Sequence, residues 1–354
     1  MVSRKDIAKE ADVSVSVVSR ALNNSGYVDA EKKKRIVEVA ERLGYRPNPV
    51  AMSLARQKTG QIMFYCREIE NAFSIELYEG MIKAAEKQNY VVVMQGKLDF
   101  ESIKGMMIDG IILPSEFITE VYLKDVGQRY YLPVVTAGFG CSLAFSRSVP
   151  VIIADLYKGG EIVVEYLRDR GHRKIAMIMP HDIESLASRT QAWHEYMSGE
   201  IGEGYQKYYI PITTKGLKDD LRAERFSEEE TNLAVPESYF HKGVLAADIF
   251  LERRLDVTAA ICFNDEMSLG FCKRMKERGY AIPKDVSLIS FDGVYHRRYA
   301  ETPITTLDMN PKLMGYQCVE VLLDMINGNK FKYVTNIPLK ILEGESVKNL
   351  NRNR

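Results

Sequence analysis

The sequence predicts two units of different fold class, a small all-helical module at the N-terminus and a larger α/β domain after it. Helical patterns fill the first 47 residues, whereas from residue 61 onward β-branched runs alternate with amphipathic helices. This alternation is typical of doubly wound parallel sheets, in which ligands bind beyond the carboxyl ends of the strands. The length of 354 residues leaves room for two such α/β units that flank a cleft.

The composition is that of a globular protein, with 46% hydrophobic and 27% charged residues. The N-terminus lacks the apolar run of a signal peptide, and no stretch of eighteen apolar residues occurs, so we expect a cytoplasmic protein that does not contact a membrane. The five cysteines and five histidines are scattered, without C-x-x-C pairs or His pairs at helical spacing. We therefore expect no disulfide framework, metal or cofactor.

Charge is distributed unevenly along the chain. The 48 Lys and Arg residues balance the 48 Asp and Glu residues, but the first 58 residues hold twelve cations and seven anions, a net charge of +5. The remainder carries −5. Such asymmetry points to a polyanion partner for the basic end, although ordinary scatter is an alternative reading of a five-charge excess.

The basic end contains three helical patterns with clear start and stop signals. Ser3 is positioned to cap a first helix that ends before Asp12, in a tight turn. Ser14 is a natural N-cap for a second helix, and Asp29 caps a third that Gly44 terminates. Two short helices joined by a tight turn predict a helix-turn-helix, and the third helix closes a small core.

Three residues of the second helix are candidates for reading DNA sequence. In a helix-turn-helix the N-terminal end of the second helix enters the major groove. Val15 offers apolar contact to a thymine methyl group, Ser16 offers one hydroxyl, and Arg20 can donate two hydrogen bonds to guanine. A phosphate contact is the alternative role for Arg20.

A short helix is predicted within residues 48–60. Asn48 is a good N-cap and Pro49 suits the first helical position, but only about eight residues follow, and a helix this short is marginal alone. We expect it to order when packed against a symmetry mate or a DNA minor groove, where Leu54 is a candidate wedge between base steps. A plain interdomain linker is the alternative.

These residues resemble the LacI/GalR family of bacterial transcription regulators. The resemblance rests on residues 6–23 (DIAKEADVSVSVVSRALN), 44–48 (GYRPN) and 51–55 (AMSLA), and continues at 108–113, 171–175, 264–270, 286–292 and 305–307. Motif order and spacing agree over nearly the whole chain. Asp12 stands where the family usually has glycine in the turn. The left-handed backbone conformation of the turn therefore costs more free energy here than it would with glycine.

The resemblance implies a homodimeric repressor, not an enzyme, that binds double-stranded operator DNA and senses a small-molecule effector. It implies a headpiece at 1–47, a hinge helix and linker at 48–60, a periplasmic-binding-protein-like sensor at 61–345 and a tail at 346–354. Within the sensor we expect an N-subdomain of about 61–170 and 293–310, and a C-subdomain of about 171–292 and 311–345. The expected DNA contacts are Val15, Ser16, Ser19, Arg20, Asn23, Tyr45, Asn48, Ala51 and Leu54.

Polar residues that follow strands are the candidates for effector contact. Asp155, Asn264 and Asp292 each follow an apolar run, and Arg189 follows a strand and loop. Such groups suit the hydroxyls of a sugar. Phe73 is a candidate for stacking on a sugar or base, and the alternative for Asp155 and Asp292 is helix capping.

The sequence leaves several functional alternatives open. The alternative to a sugar effector is a purine or another corepressor. The alternative to a repressor is a regulator that acts as an activator. For an insertion at about residues 204–243, three roles are open: covering the cleft, extending a dimer contact, or none. The lone Trp193 is expected to pack in the core.

Overall fold

The computed structural model describes residues 2–47, 53, 57–66, 69–96, 100–124, 132–140, 148–181, 188–212 and 238–353. The chain divides into two compact units, residues Met1–Thr59 and Gly60–Arg354. Among the helices in these ranges, none is long and apolar enough to cross a membrane.

The first unit has the three predicted helices, α1 (Arg4–Glu10), α2 (Val15–Asn23) and α3 (Ala30–Arg42). Ser14 Oγ accepts a hydrogen bond from the Val17 amide, and Asp29 Oδ1 accepts one from the Lys32 amide at 3.1 Å. Asp12 adopts a left-handed backbone with φ 50°, as the turn requires. The buried core consists of Ile7, Ala8, Ala11, Val18, Ala21, Ile36, Val39 and Ala40. The predicted hinge helix lies almost entirely outside the described residues.

The first lobe of the second unit is built on a parallel sheet. Its strands are β1 (Gln61–Tyr65), β2 (Val91–Gln95), β3 (Gly110–Leu113), β4 (Val134–Gly138), β5 (Val151–Ile153) and β11 (Val334–Asn336). They lie in the order β11-β5-β4-β3-β1-β2. Its helices are α4 (Ala72–Glu86), α5 (Glu116–Tyr122) and α10 (Pro311–Asn327), with a 3₁₀ helix at Phe100–Gly105.

The second lobe repeats this arrangement with one antiparallel edge strand. Its strands are β6 (Ile175–Met179), β7 (Tyr209–Pro211), β8 (Ala259–Cys262), β9 (Ser287–Asp292), β10 (Thr305–Asp308) and β12 (Lys340–Leu342), in the order β12-β10-β9-β8-β6-β7. Only β12 runs antiparallel to its neighbour among these described strands. The helices are α6 (Leu156–Asp169), α7 (Ser188–Ile201), α8 (Tyr239–Arg253) and α9 (Asp265–Glu277), and 3₁₀ helices span Tyr205–Tyr208, Tyr295–Tyr299 and Leu350–Asn353.

The composition of the two lobes differs from the predicted subdomains. The chain crosses between the sheets after β5, between β10 and α10, and between β11 and β12. Helix α6, assigned to the N-subdomain, packs on α7 and β10 of the second lobe. Residues 293–308 also belong there, because β10 pairs with β9. Conversely, α10 packs on α4 and so belongs to the first lobe.

Each lobe contains a pair of helices that cross at two facing glycines. A Cβ atom added to Gly80 or Gly315, where α4 meets α10, would lie 1.9 Å from a carbonyl oxygen of the facing helix. The same distance holds for Gly243 and Gly270, where α8 meets α9. The facing carbonyl oxygen is that of Lys312 for Gly80, Leu77 for Gly315, Met267 for Gly243 and Phe240 for Gly270. A side chain at any of these four positions would force the two backbones apart.

We predict that Gly270→Ala lowers the free energy of unfolding of the sensor by about 1–3 kcal/mol, the usual cost of overpacking. Urea unfolding followed by circular dichroism measures this change. Gly199→Ala in α7 is the matched control, because a Cβ atom there meets no atom within 4 Å. The control should stabilise the helix slightly, by up to about 1 kcal/mol. Equal effects of the two substitutions would contradict the crossing argument.

Candidate functional site

The outward face of α2 presents the predicted base-reading residues. Val15 is 41% exposed, and Ser16 and Arg20 are exposed as well. Val18 and Ala21, on the opposite face, are buried in the headpiece core. The helix therefore holds Val15, Ser16 and Arg20 away from the core, as a groove-reading helix requires. The predicted contacts Asn48, Ala51 and Leu54 lie outside the described residues.

The other three predicted DNA contacts share one partner, Arg4. Its guanidinium donates hydrogen bonds to Tyr45 Oη at 3.1 Å, to Ser19 Oγ at 3.1 Å and to Asn23 Oδ1 at 3.3 Å. Arg4 was not among the residues predicted to bind DNA. In the sequence it is one cation among several, and only the fold brings it to these side chains.

A cavity of about 340 Å³ lies between the two lobes, at the carboxyl ends of β1, β3, β4, β8 and β9. This is the position expected for a ligand in doubly wound α/β units. Four of the five predicted effector residues line it, namely Phe73, Arg189, Asn264 and Asp292. The other lining residues are Cys66, Asn71, Ser74, Leu77, Pro114, Ser115, Phe117, Ile118, Phe139, Tyr239, Phe263 and Met309.

Two aromatic pairs form the apolar part of the cavity. Phe73 and Phe139 of the first lobe have ring centroids 5.8 Å apart at 56°. Tyr239 stacks on Phe263 in the second lobe, with centroids 5.1 Å apart at 26°. Phe73 lies in the first turn of α4 rather than in a loop, because Asn71 caps this helix. Tyr239 was not predicted from the sequence, since it lies near the end of the insertion at about residues 204–243, whose role the sequence leaves open.

Arg189 brings a cation to the cavity. Its guanidinium carbon lies 4.1 Å from the centroid of the Phe263 ring and 5.3 Å from that of Phe291, and Nη1 donates to the Phe263 carbonyl oxygen. Stacking on aromatic faces favours a fixed orientation of the guanidinium. The side chain is thus held in place by its own lobe.

Asn264 and Asp292 bring polar groups from the ends of adjacent strands. Asn264 is 2% exposed, and its Oδ1 accepts a hydrogen bond from the Met267 amide at 2.9 Å, which caps α9. Asp292 ends β9 with φ 108°, a conformation that is rare for a residue with a side chain. Strained backbone of this kind clusters at ligand sites. Both residues line the cavity although they also shape the local backbone.

Asp265 fixes the loop that follows Asp292. Its carboxylate accepts hydrogen bonds from the Ser290 hydroxyl and from the amides of Gly293 and Val294, at 3.0 and 2.9 Å. Burial raises the pKa of Asp265, and the hydrogen bonds from Ser290 and Val294 and the Arg297 charge act in the opposite direction. The residue ties the start of α9 to the end of β9, so Asn264 and Asp292 keep a fixed spacing.

Asp155 does not join the other four predicted effector residues at the cavity. Its Oδ1 accepts hydrogen bonds from the Tyr157 amide at 3.1 Å and the Lys158 amide at 3.2 Å, at the start of α6. It follows β5 at the first crossing between the lobes, where its carboxylate is the N-cap of α6. Asp155 therefore takes the helix-capping role that the sequence left open as the alternative. Its contact with an effector stays a prediction.

Comparison with known proteins places this geometry in a family. Residues 4–48 match the profile described as bacterial regulatory proteins, lacI family, and residues 164–347 match the periplasmic binding protein-like domain. The probable HTH-type transcriptional repressor ExuR of Bacillus subtilis is 30% identical over 92% of each chain. The chain belongs to the LacI family.

Another LacI-family relative, the HTH-type transcriptional repressor PurR of Vibrio atlanticus, is 26% identical over 99% of this chain and 100% of its own. The crystal structure of the lac repressor dimer bound to operator and the anti-inducer ONPF superposes with a TM-score of 0.73. It covers 98% of this chain and 99% of that one at 19% identity, a likeness of fold. The predicted family and fold class are confirmed.

A second and larger cavity, of about 520 Å³, lies on the second lobe of this LacI-family protein between α9 and residues 280–282 and 299–302. None of the predicted effector residues lines it, and the lysines at its rim pair with acids, Lys273 with Glu277 and Lys276 with Glu301. The interlobe cavity is therefore the candidate effector site. Within the described ranges, no group of three or more His, Cys, Asp or Glu residues could hold a metal ion.

We predict that Asp155→Ala lowers the free energy of unfolding of the sensor by about 1 kcal/mol, because α6 loses its N-cap. Thermal unfolding of the full chain measures the loss. Asp155→Ser is the matched control, since its hydroxyl keeps a capping oxygen and should retain most of the stability. A loss as large in the serine variant would mean that Asp155 acts by another interaction.

Proposed function

We propose that this protein is a transcriptional repressor that binds operator DNA as a homodimer in the cytoplasm and changes its operator affinity when a sugar binds between its lobes. Two of its relatives are repressors by name, and the lac repressor structure is a dimer on its operator. Binding to the chromosome supports placement in the cytoplasm. The observation that carries the effector proposal is the interlobe cavity, in which Arg189, Asn264 and Asp292 converge.

The operator is read by α2. Its outward face offers three different contacts to base edges. These are the exposed apolar side chain of Val15, the hydroxyl of Ser16 and the guanidinium of Arg20. Arg20 carries the largest share of discrimination, because bidentate donation to guanine O6 and N7 distinguishes one base pair from the other three.

We predict that Arg20→Ala lowers discrimination at one base pair of each operator half-site by about 1–3 kcal/mol. Gel-shift titration of the full-length protein against single-base operator variants measures the discrimination. Lys33→Ala is the control, because Lys33 is an exposed cation of α3, outside the reading helix. This control should weaken all duplexes equally. An unchanged preference in Arg20→Ala would assign Arg20 to the phosphates.

The cavity chemistry favours a sugar as effector. The faces of Phe73 and Tyr239 suit the apolar C–H faces of a pyranose or furanose ring. Arg189 donates hydrogen bonds, Asp292 accepts them, and the Asn264 amide has two N–H donors, so ring hydroxyls find both kinds of partner. The volume of about 340 Å³ is adequate for a monosaccharide.

A purine base is the second candidate. The two aromatic pairs, Phe73 with Phe139 and Tyr239 with Phe263, can also stack on a planar heterocycle. The PurR relative, which matches over 99% of this chain, favours the same alternative. The proposal of a sugar rests on the number of hydroxyl-binding groups at the carboxyl ends of β8 and β9.

Effector and operator are coupled through the lobes. A ligand that contacts both lobes favours the closed arrangement, and the operator affinity then changes by a coupling free energy of about 1–3 kcal/mol. An inducer and a corepressor differ only in the sign of this coupling, which is measured by operator titration with and without the ligand.

We predict that a thermal-shift screen with neutral sugars, hexuronates and purine bases identifies a sugar that stabilises the protein. A ligand at one hundred times its Kd should stabilise the fold by about 2.7 kcal/mol. Asp292→Asn should abolish this shift and leave operator binding intact, because asparagine tolerates a positive φ. Gly199→Ala should keep the shift, because Gly199 is not among the residues that line the cavity. A response to purines alone would overturn the assignment to sugars.

A further inference from the structure

Glu116 is a buried acid behind the first-lobe wall of the interlobe cavity. It begins α5, directly after the N-cap residue Ser115, and only 2% of its surface is exposed. Its Oε1 accepts hydrogen bonds from the backbone amides of Phe139 at 2.6 Å and Gly140 at 2.8 Å. One carboxylate thus joins the start of α5 to residues 139–140, which follow β4 and are here called the 139–140 segment. Glu116 is not among the residues that line the cavity, whereas Ser115 and Phe139 are.

The backbone around the 139–140 segment is shaped to receive this carboxylate. A Cβ atom at Gly138 would lie 3.1 Å from Glu116 Oε1, and Gly140 has a φ of 80°, a conformation that favours glycine. Burying a carboxylate costs free energy, and hydrogen bonds from two amides offset that cost. Because a buried charge adds little net stability, its main effect is on the geometry of the segment that it holds.

Phe139 is held from both lobes. Its ring contacts that of Phe73 within the first lobe, with the centroids 5.8 Å apart. Its carbonyl oxygen accepts a hydrogen bond from Ser188 Oγ at 3.0 Å. Ser188 begins α7 of the second lobe, one residue before Arg189. A shift of the 139–140 segment would therefore change the aromatic wall of the cavity and a contact between the lobes at the same time.

The second lobe contains the same arrangement. Asp265 is likewise the first residue of its helix, α9, and is fully buried. Its carboxylate accepts hydrogen bonds from the amides of Gly293 and Val294, just after β9. That backbone directly follows Asp292, a candidate effector contact, so the acid of the second lobe positions a cavity residue. The equivalent place of Glu116 in the first lobe indicates the same role.

We propose that Glu116 is a positioning residue for effector binding, whose carboxylate holds the 139–140 segment so that Phe139 keeps its place in the cavity wall. The proposal rests on the function of the interlobe cavity as the effector site. Glu116 does not touch the effector and acts through the two backbone amides that it binds. Without the carboxylate these amides lose their acceptor, so an effector must first order the segment and binds more weakly.

The test compares hydrogen exchange with ligand affinity in the same variants of the full-length protein. Glu116→Met removes the acceptor and keeps nearly the same side-chain length, whereas Glu116→Gln keeps one oxygen that can accept from both amides. Glu120→Met is the matched control, because Glu120 lies one turn further along α5 and does not line the cavity. Exchange of the Phe139 and Gly140 amides is followed by mass spectrometry with fragmentation, in the absence of ligand.

Affinity is measured by isothermal titration. The wild-type protein is titrated with D-glucose, D-galactose, D-ribose, D-glucuronate and adenine, and the compound that binds most tightly is then used with every variant. Circular dichroism reports whether each variant keeps its helices.

Glu116→Met should speed exchange of the two amides by about tenfold or more, because they lose their hydrogen-bond acceptor. The same variant should bind the chosen compound about tenfold more weakly. Glu116→Gln should restore both properties to within about threefold of the wild type, because its carbonyl oxygen still accepts. Glu120→Met should match the wild type in both measurements.

Several results would overturn the proposal. Wild-type exchange in Glu116→Met would show that Glu116 does not hold the segment, and faster exchange with wild-type affinity would show that the segment does not shape the site. An equal loss of affinity in Glu120→Met would remove the special role of Glu116. Should Glu116→Met lose its helices, Glu116→Gln decides, since faster exchange without weaker binding in that variant contradicts the proposal.

Failure of the proposed function gives a different result. If none of the compounds binds the wild-type protein, the effector role on which the proposal rests is lost for all variants alike. Hydrogen exchange needs no ligand, so it still reports whether Glu116 holds the 139–140 segment.

Discussion

The sensor depends on two helix crossings at which no side chain separates the backbones. Because Gly315 lets α10 lie against the carbonyl oxygen of Leu77, the first turns of α4 reach the interlobe cavity with Phe73. Because Gly270 lets α9 lie against the carbonyl oxygen of Phe240, the start of α8 brings Tyr239 to the opposite wall. The two lobes thus use the same packing solution, and the aromatic parts of the candidate site follow from it.

Local sequence signals were sufficient to predict the headpiece helices, but not to predict to which lobe each element of the sensor belongs. Ser14, Asp29 and Gly44 act within a few residues of their own positions, so capping rules placed α2 and α3 correctly. Local signals also mark the bounds of α10, since Pro311 occupies its first turn and Gly328 follows its last residue in a left-handed conformation. Its packing on α4, far away in the sequence, leaves no local signal. Short edge strands such as Val334–Asn336 also lack a local signal, since their stability comes from a partner strand.

The candidate effector site shows how strand-end polar residues divide between two roles. Asn264 and Asp155 both cap helices, yet only Asn264 also lines the cavity. A sequence cannot separate these cases, because both residues follow an apolar run and precede a helix. The deciding factor is the position of the strand within its sheet. β5 lies between β4 and the edge strand β11, and it delivers Asp155 to a crossing between the lobes. Asp265 adds a third role, since it contacts neighbouring backbone and holds Asp292 in place.

Trp193 provides an intrinsic fluorescence probe within the second lobe. It is the single tryptophan of the chain, it is fully buried, and its indole N–H donates to the Ile175 carbonyl oxygen at 2.9 Å. It lies on α7, one helical turn after Arg189. The tryptophan emission of the whole protein, excited selectively above the tyrosine absorption, therefore originates in the second lobe alone. Motion of Arg189 would shift the wavelength of the Trp193 emission maximum without any added label. Events confined to the headpiece would leave that emission unchanged.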